Sequence, residues 1–259
     1  RIHGVWGQWQ LMLQGDADAT ALVPLLEDES EEIRVQTARV LGDAAAAQVL
    51  PYLRKALGDS SPRVQFHAAT SIGRLGVHDH GTASDLVALL RANNNADPNL
   101  RHAAVFGLQG TATTEMLSAL SLDPSPAVRL GGLLALRRLK SPEAGRYLSD
   151  SDPFIVAEAV RAVHDEMILE AYPALAALAE SESDIPLEDS YTWRRILNAH
   201  FRLGQPEDAA MLARLATAAH IPEIARLGGL KALAAWCDPP ALDPVTGEWR
   251  PRKPGTSEA

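Results

Sequence analysis

The sequence predicts an all-α protein: a superhelical stack of about seven helix pairs with an orphan helix at the N-terminus. Three observations predict it. First, one helical motif keeps returning. It reads Glu-Ile33-Arg34-Val-Gln-Thr-Ala-Arg-Val-Leu41-Gly42, then Arg-Val64-Gln65-Phe-His-Ala-Ala-Thr-Ser-Ile72-Gly73. Asn-Leu100-Arg101-His-Ala-Ala-Val-Phe-Gly-Leu108 and Ala-Val128-Arg129-Leu-Gly-Gly-Leu-Leu-Ala-Leu136 follow. Second, an acidic turn precedes each copy, at Asp28, Asp59, Asp97 and Asp123. Third, the period-2 alternation of β-branched and aromatic residues that marks strands is absent, and Ala and Leu dominate.

Taken in order, residues 1–14 read as an orphan second helix carrying Trp6 and Trp9. Pairs follow at about 17–43, 45–75, 82–110, 112–139, 141–165, 167–204 and 205–236. Each acidic turn starts a helix. Asp or Ser accepts from the free N–H groups of the first turn, and Pro is tolerated there because its missing N–H costs nothing. Behind the turn, apolar residues recur at helical spacing, as in Val64, Ala68, Ala69 and Ile72, giving one buried stripe. Upstream lies the first helix of the pair, as in Ala21-Leu-Val-Pro24-Leu-Leu26, Val49-Leu-Pro51-Tyr-Leu53 and Tyr172-Pro173-Ala-Leu175. A proline early in such a helix is harmless, and a later one bends it. Small residues fall where two helices touch: Ala68, Ala69, Ala103, Ala104, Gly131, Gly132, Gly228 and Gly229. Mid-helix Gly costs roughly 0.5–1 kcal/mol against Ala, so its pairing indicates close packing.

From Arg34 the motif steps to positions 65, 101, 129 and 156, where Val156 replaces Arg. Ala225-Arg226-Leu-Gly-Gly-Leu copies the Arg129 segment. Ser181 to Asp189 reads as an acidic loop broken by Pro186, and the helix around Trp193 to Gly204 can be phased in two ways. Residues 1–236 therefore form the repeat domain. Residues 237–259 carry Pro239, Pro240, Pro244, Pro251 and Pro254, a density that forbids helix and predicts an extended tail. Trp249 is expected to fold back onto the last helix pair.

The run Asp-Pro-Ser-Pro-Ala-Val-Arg129, followed by a small-residue helix, resembles the HEAT-repeat family in the short bacterial form also seen in phycobilin lyases. The resemblance covers about residues 1–236. It implies an Asp–Arg ladder between neighbouring units, which Asp28/Arg34, Asp97/Arg101 and Asp123/Arg129 fit and which Gln65 and Val156 interrupt. A narrower resemblance rests on Arg1-Ile-His-Gly-Val-Trp6-Gly, Leu197-Asn-Ala-His-Phe-Arg-Leu-Gly204 and the Ala235-Trp236-Cys-Asp-Pro-Pro run to Trp249. These look like the helical segment of very large secreted dehydrogenase-like proteins of planctomycete-type bacteria. That likeness implies export and neighbouring domains. Their chemistry does not carry over, because no Cys-x-x-Cys-His haem motif is present.

The chain has 259 residues, is 46% hydrophobic and only 5% aromatic, so its core is aliphatic. With 24 Lys plus Arg against 33 Asp plus Glu it carries a net charge of −9. That weighs against a general nucleic-acid binder, whose affinity comes from neutralised phosphates. Cys237 alone makes neither an internal disulfide nor a Cys-rich zinc site. No run approaches the ~18–20 apolar residues of a membrane span. The N-terminus is neither a signal peptide nor an initiator Met, so position 1 reads as a cut inside a longer protein.

Candidate chemistry is sparse. His78-Asp79-His80 has the donors for a divalent metal, but its place before a helix favours a capping role, and no metal or other cofactor is expected. Second helices line the concave face of such a stack. Gln36, Arg39, His67, Thr70, Arg74 and His102 stand beside the buried stripe as the floor of a groove, or as inter-repeat hydrogen-bonding residues. Trp6 and Trp9 are read as an inter-domain surface. Arg137, Arg138, Lys140, Arg194, Arg195, Arg202 and Arg214 give the later half a basic character, read as a solvated face. No phosphate loop, nucleophile elbow or catalytic motif appears. The reading is a non-enzymatic interaction scaffold that binds a protein partner or adjacent domains, with no nucleic acid. The alternative is a helical-repeat enzyme, a chromophore lyase or an alkylpurine-DNA glycosylase.

Overall fold

The computed structural model describes residues 1–15, 17–180 and 189–252. Among these residues all regular secondary structure is helical, apart from one isolated antiparallel bridge. It divides into two compact units, Arg1–Leu139 and Lys140–Ala259. The expected acidic loop lies outside the described residues, apart from Asp189.

The first unit opens with α1 (Ile2–Gln14), then holds four helix pairs. A 3-10 segment, Ala19–Glu27, precedes α2 (Glu31–Asp43). A 3-10 turn runs into α3 (Leu50–Ala56) before α4 (Pro62–Leu75). Next come α5 (His80–Asn93) with α6 (Pro98–Thr111), and α7 (Thr114–Ala119) with α8 (Pro126–Arg138). The second helices α2, α4, α6 and α8 pack each on the next. The second unit repeats the plan three times. Its pairs are the 3-10 segment Pro142–Ser149 with α9 (Pro153–Asp165), α10 (Tyr172–Ala177) with α11 (Ser190–Leu203), and α12 (Pro206–Thr217) with α13 (Glu223–Ala234). Here α9, α11 and α13 pack in succession. The fold is thus the all-α helix-pair solenoid that the periodicity predicts. It departs from the prediction in the first helices of two pairs, which are 3-10 rather than α. In one of them Pro24 sits inside the segment and removes a donor that an i→i−4 ladder would need.

Second helices touch neighbours on two sides, which is why their core is alanine-rich. Ala38, Ala68, Ala69, Ala103 and Ala104 are fully buried beside Leu41, Val64, Ile72 and Leu108. The α4–α6 crossing is the tightest. A Cβ on Gly73 would stand 2.6 Å from the Phe106 carbonyl oxygen, and one on Gly110 would strike the Gly73 carbonyl.

The acidic turns have a common construction. Asp28, Asp59, Asp123 and Asp150 each accept from the N–H two residues on, at Ser30, Ser61, Ser125 and Asp152. Ser61, Asp97 and Asp152 then cap the helix start, with Pro in its first turn. The expected ladder forms at Arg34, which donates to both carboxylate oxygens of the next turn's Asp59 at 2.7 and 3.0 Å. It also reaches the Asp28 carbonyl of its own turn. Gln65 keeps that inner contact, donating to the Asp59 carbonyl at 2.8 Å. Arg129 does the same to Asp123. Arg101 reaches the Asn95 side chain instead, because Asn95, not Asp97, stands six residues before it, the place that Asp28, Asp59 and Asp123 hold before Arg34, Gln65 and Arg129. Asp79 caps α5, accepting from the Thr82 N–H and hydroxyl, each at 2.6 Å. The helix therefore starts at His80, two residues earlier than the sequence indicates.

The tail beyond Trp236 contains no helix among its described residues, as its prolines require, but it is not a free extended run. Leu242 and Trp249 form an antiparallel bridge around Gly247. Asp243, 2% exposed, accepts from the Val245 and Thr246 N–H groups and from Arg202. Arg250 donates to the His164 and Asp165 carbonyls. Arg252 lies 3.9 Å over the Phe201 ring and 4.9 Å over Trp236. Trp249, expected to fold back, is instead 72% exposed. A guanidinium can satisfy carbonyls at the C-terminal end of α9 that have no intrahelical partner. An indole cannot, and the arginines therefore hold the segment down.

Candidate functional site

In the first unit, α1, α2 and α4 bring together most of the side chains singled out as candidates. The indole N–H of Trp6 donates to Gln36 Oε1 at 3.2 Å, and the Arg39 guanidinium sits 5.2 Å from the Trp6 ring centroid. Trp9 meets Trp6 edge to face at 5.5 Å. The Gln36 amide in turn donates to Glu32. Both indoles are half-buried, and the Trp9 N–H is buried with no acceptor among the described residues. The two groups that the sequence keeps apart, tryptophans and groove residues, are thus one cluster.

One repeat further, His67 stands at the position of Gln36. Burial, then the charges of Arg39, Arg63 and Arg74, hold its imidazole below the ordinary histidine value, against a weaker pull from Glu32. It is therefore neutral at neutral pH. Arg74 and Arg39 share Asp43, and Arg63 pairs with Glu31 and Glu32. Thr70 is turned back to the Phe66 carbonyl of its own helix at 2.8 Å. His102 is exposed and has no hydrogen-bond partner among the described residues. Leu100 stands in register with Val64 and Ile33, so the counterpart of His67 is the fully buried Ala103, and His102 lies one position off the row.

Glu32, Asp43 and Arg63 complete the cluster and were not among the sequence candidates. The signal was present in the repeat step. Glu32 and Arg63, and likewise Asp43 and Arg74, are separated by the same interval as Gln36 and His67. Opposite charges one repeat apart on second helices meet in space. The exposed apolar side chains of α1 are Ile2, Leu11 and Leu13 rather than the tryptophans.

Successive helix pairs whose second helices pack each on the next define an α-helical repeat protein. Residues 19–109 match the family model described as HEAT repeats, a stretch that runs from the first 3-10 segment into α6. No curated protein sequence matches the chain. Among solved structures, the chain is similar to an archaeal HEAT-like repeats protein from Thermococcus onnurineus NA1. Identity is 17%, coverage 89% of this chain and 91% of that one, and the TM-score 0.45. It is also similar to the complex of CpcE and CpcF of phycocyanin lyase from Nostoc sp. PCC7120, at 17% identity, 89% and 88% coverage and a TM-score of 0.41. Human deoxyhypusine hydroxylase is similar at 18% identity, 90% and 96% coverage and a TM-score of 0.37. No described helix is long and apolar enough to cross a membrane.

Proposed function

We propose that the chain is a non-catalytic interaction scaffold that binds a protein partner, or a neighbouring domain, on the second-helix face of its first unit. The observation that carries this reading is the juxtaposition of Trp6, Trp9, Gln36, Arg39 and His67 on one surface. Trp and Arg are the side chains most enriched where binding energy concentrates, because they bury large area while keeping directional donors. Arg74, paired with Asp43 of α2, extends the surface, and Ile2, Leu11 and Leu13 continue it along α1. A non-catalytic role is supported by the buried histidines of the second unit. The His200 ring nitrogens lie 2.7 Å from Asp208 and 3.0 Å from the Ala176 carbonyl. Those of His164 lie 2.9 Å from Asp165 and from Asn198. Both rings are thereby engaged in structure. We also propose, on the likeness of the Arg1–Gly7 and Ala235–Trp249 stretches, that the parent protein is a large exported multidomain one.

The test is a quantitative capture comparison. The protein is immobilised as wild type, as the His67→Ala, His102→Ala double variant and as Trp9→Ala, with Tyr52→Ala on α3 as a control. Proteins retained by wild type and the Tyr52→Ala control and lost by the double variant and by Trp9→Ala, with all four melting alike, are the expected result. Equal retention by all four overturns the reading.

A further inference from the structure

In the second unit, one buried pair of ionisable groups spans the turn between α11 and α12. His200 stands in the last turn of α11 and Asp208 in the first turn of α12, and they are 6% and 8% exposed. Nδ1 of the ring lies 2.7 Å from Asp208 Oδ1, and Nε2 lies 3.0 Å from the Ala176 carbonyl of α10. The other carboxylate oxygen accepts from the Gln205 N–H at 3.0 Å, which closes the capping box of α12. Three helices therefore meet on this pair.

The partners fix the proton count. A neutral imidazole is a donor at one nitrogen and an acceptor at the other. A backbone carbonyl can only accept, so Nε2 carries a proton. Nδ1 faces a carboxylate oxygen. A lone pair there would meet a negative oxygen at 2.7 Å, and the pair would keep a net charge in the interior, which is costly without a counter-ion. A second proton, on Nδ1, removes both costs. The pair is then imidazolium and carboxylate, neutral as a whole, and each contact sets a donor against an acceptor. His164 differs, because one of its nitrogens faces the Asn198 side-chain amide, and an amide can turn a donor to the ring.

The charges on neighbouring elements are engaged elsewhere. Asp165 of α9 is taken by Arg195, and Asp243 of the tail by Arg202. Tyr172 of α10 donates to the His164 carbonyl, Arg214 of α12 reaches the Ala179 carbonyl, and Arg252 lies over the Phe201 ring. Glu180, Glu207 and Glu223 are exposed. Arg226 and Lys231 of α13 bond to neither His200 nor Asp208.

We propose that the His200–Asp208 pair is a proton-held staple of the second unit, and that withdrawing its proton in mildly alkaline solution loosens the α10–α11–α12 junction. Without that proton the ring and the carboxylate repel. Asp208 then turns away, and α12 loses the capping box. The sign follows from linkage. An unfolded histidine gives up its proton near about pH 6.5. The stapled ring, held by two acceptors, keeps it beyond that point, so the folded chain binds more protons there and stability falls as the pH rises through the release. In the first unit, burial and the charges of Arg39, Arg63 and Arg74 already keep His67 neutral, so raising the pH takes no proton from it. The α1–α4 face takes no part in the staple.

The experiment labels the histidines of the whole chain with 15N. Ring-nitrogen shifts are recorded at about pH 7.5, a unit above the unfolded titration, with His200 assigned through bonds to its backbone. Two donor-type nitrogens on His200 are the expected result. Amide exchange, corrected for its intrinsic base dependence, is then followed from about pH 7 to about pH 9. Protection of α12 is expected to fall about fivefold or more, while α2 and α4 keep theirs. In Asp208→Asn the amide can donate to Nδ1 and still accept from Gln205, so a neutral ring satisfies each contact, and the pH dependence of α12 is expected to disappear. A neutral His200 ring at about pH 7.5 in wild type overturns the proposal whether or not that variant folds. So does α12 protection that wild type keeps throughout, or loses to the same extent as Asp208→Asn.

Discussion

Arg34 reaches two successive turns at once, the Asp59 carboxylate of the following repeat and the Asp28 carbonyl of its own. The pair is mostly shielded from solvent, so its hydrogen bonds are worth more than those of an open surface pair. Arg34→Ala is expected to destabilise the chain by about 1.5–3 kcal/mol in urea unfolding, and Arg63→Ala, whose pair is exposed, by well under 1 kcal/mol. Equal costs for the two would remove the ladder's role. Asp165 makes a pH prediction. Burial works to raise its carboxyl, but hydrogen bonds from His164 and Arg195 outweigh it and hold the group far below the usual carboxylate range. The folded state therefore binds fewer protons here than the unfolded chain. The resulting stability is present above the unfolded value of about 3.9 and disappears as pH falls further, through the folded value. Asp165→Asn is expected to cost on the order of 2 kcal/mol at pH 7 and to flatten the acid limb of the melting-temperature profile below about pH 4. A parallel profile, merely shifted, would refute it.

Helix pairs stand or fall on backbone approach. At the α4–α6 crossing, Gly110→Ala gains about 1 kcal/mol of helix propensity. It also drives a methyl into the Gly73 carbonyl, and a rigid backbone atom cannot yield as a side-chain end can. Overpacking of this kind costs about 1–3 kcal/mol, so the clash wins and the variant melts lower, as thermal unfolding followed by circular dichroism would record. Gly7→Ala in α1, where nothing lies within 4 Å of the new methyl, is expected to be neutral or stabilising. The sequence placed Gly131, Gly228 and Gly229 at helix contacts, where a Cβ would meet Leu90, Leu197 and the Leu212 carbonyl, but it did not single out Gly73 or Gly110. It left the phase of α11 open. The structure fixes that phase by burying Trp193, Ile196, Leu197 and His200, because the His200–Asp208 and His164–Asn198 hydrogen bonds require that rotation. Polar anchors one repeat apart carry no periodic hydrophobic signal, so hydrophobic pattern alone could not choose.

Across the whole molecule, stability is a sum of nearest-neighbour interfaces, and damage should stay local. Deleting residues 237–259 removes Asp243, Arg250 and Arg252 from their places against α9, α11 and Trp236. Amide exchange is expected to accelerate in α9 and α11 and to stay unchanged in α2 and α4. Uniform acceleration would mean one cooperative core instead. The sequence by itself determined the helix pairs, their boundaries to within a few residues and their order, because capping turns, helical spacing and repeated small residues are local signals. Only the tertiary structure decided that Trp6 belongs with Gln36 and Arg39, that His102 falls off their row, and that Arg250 rather than Trp249 holds the tail. Those outcomes depend on which donors and acceptors from distant repeats come within hydrogen-bonding reach, and no local pattern encodes that distance.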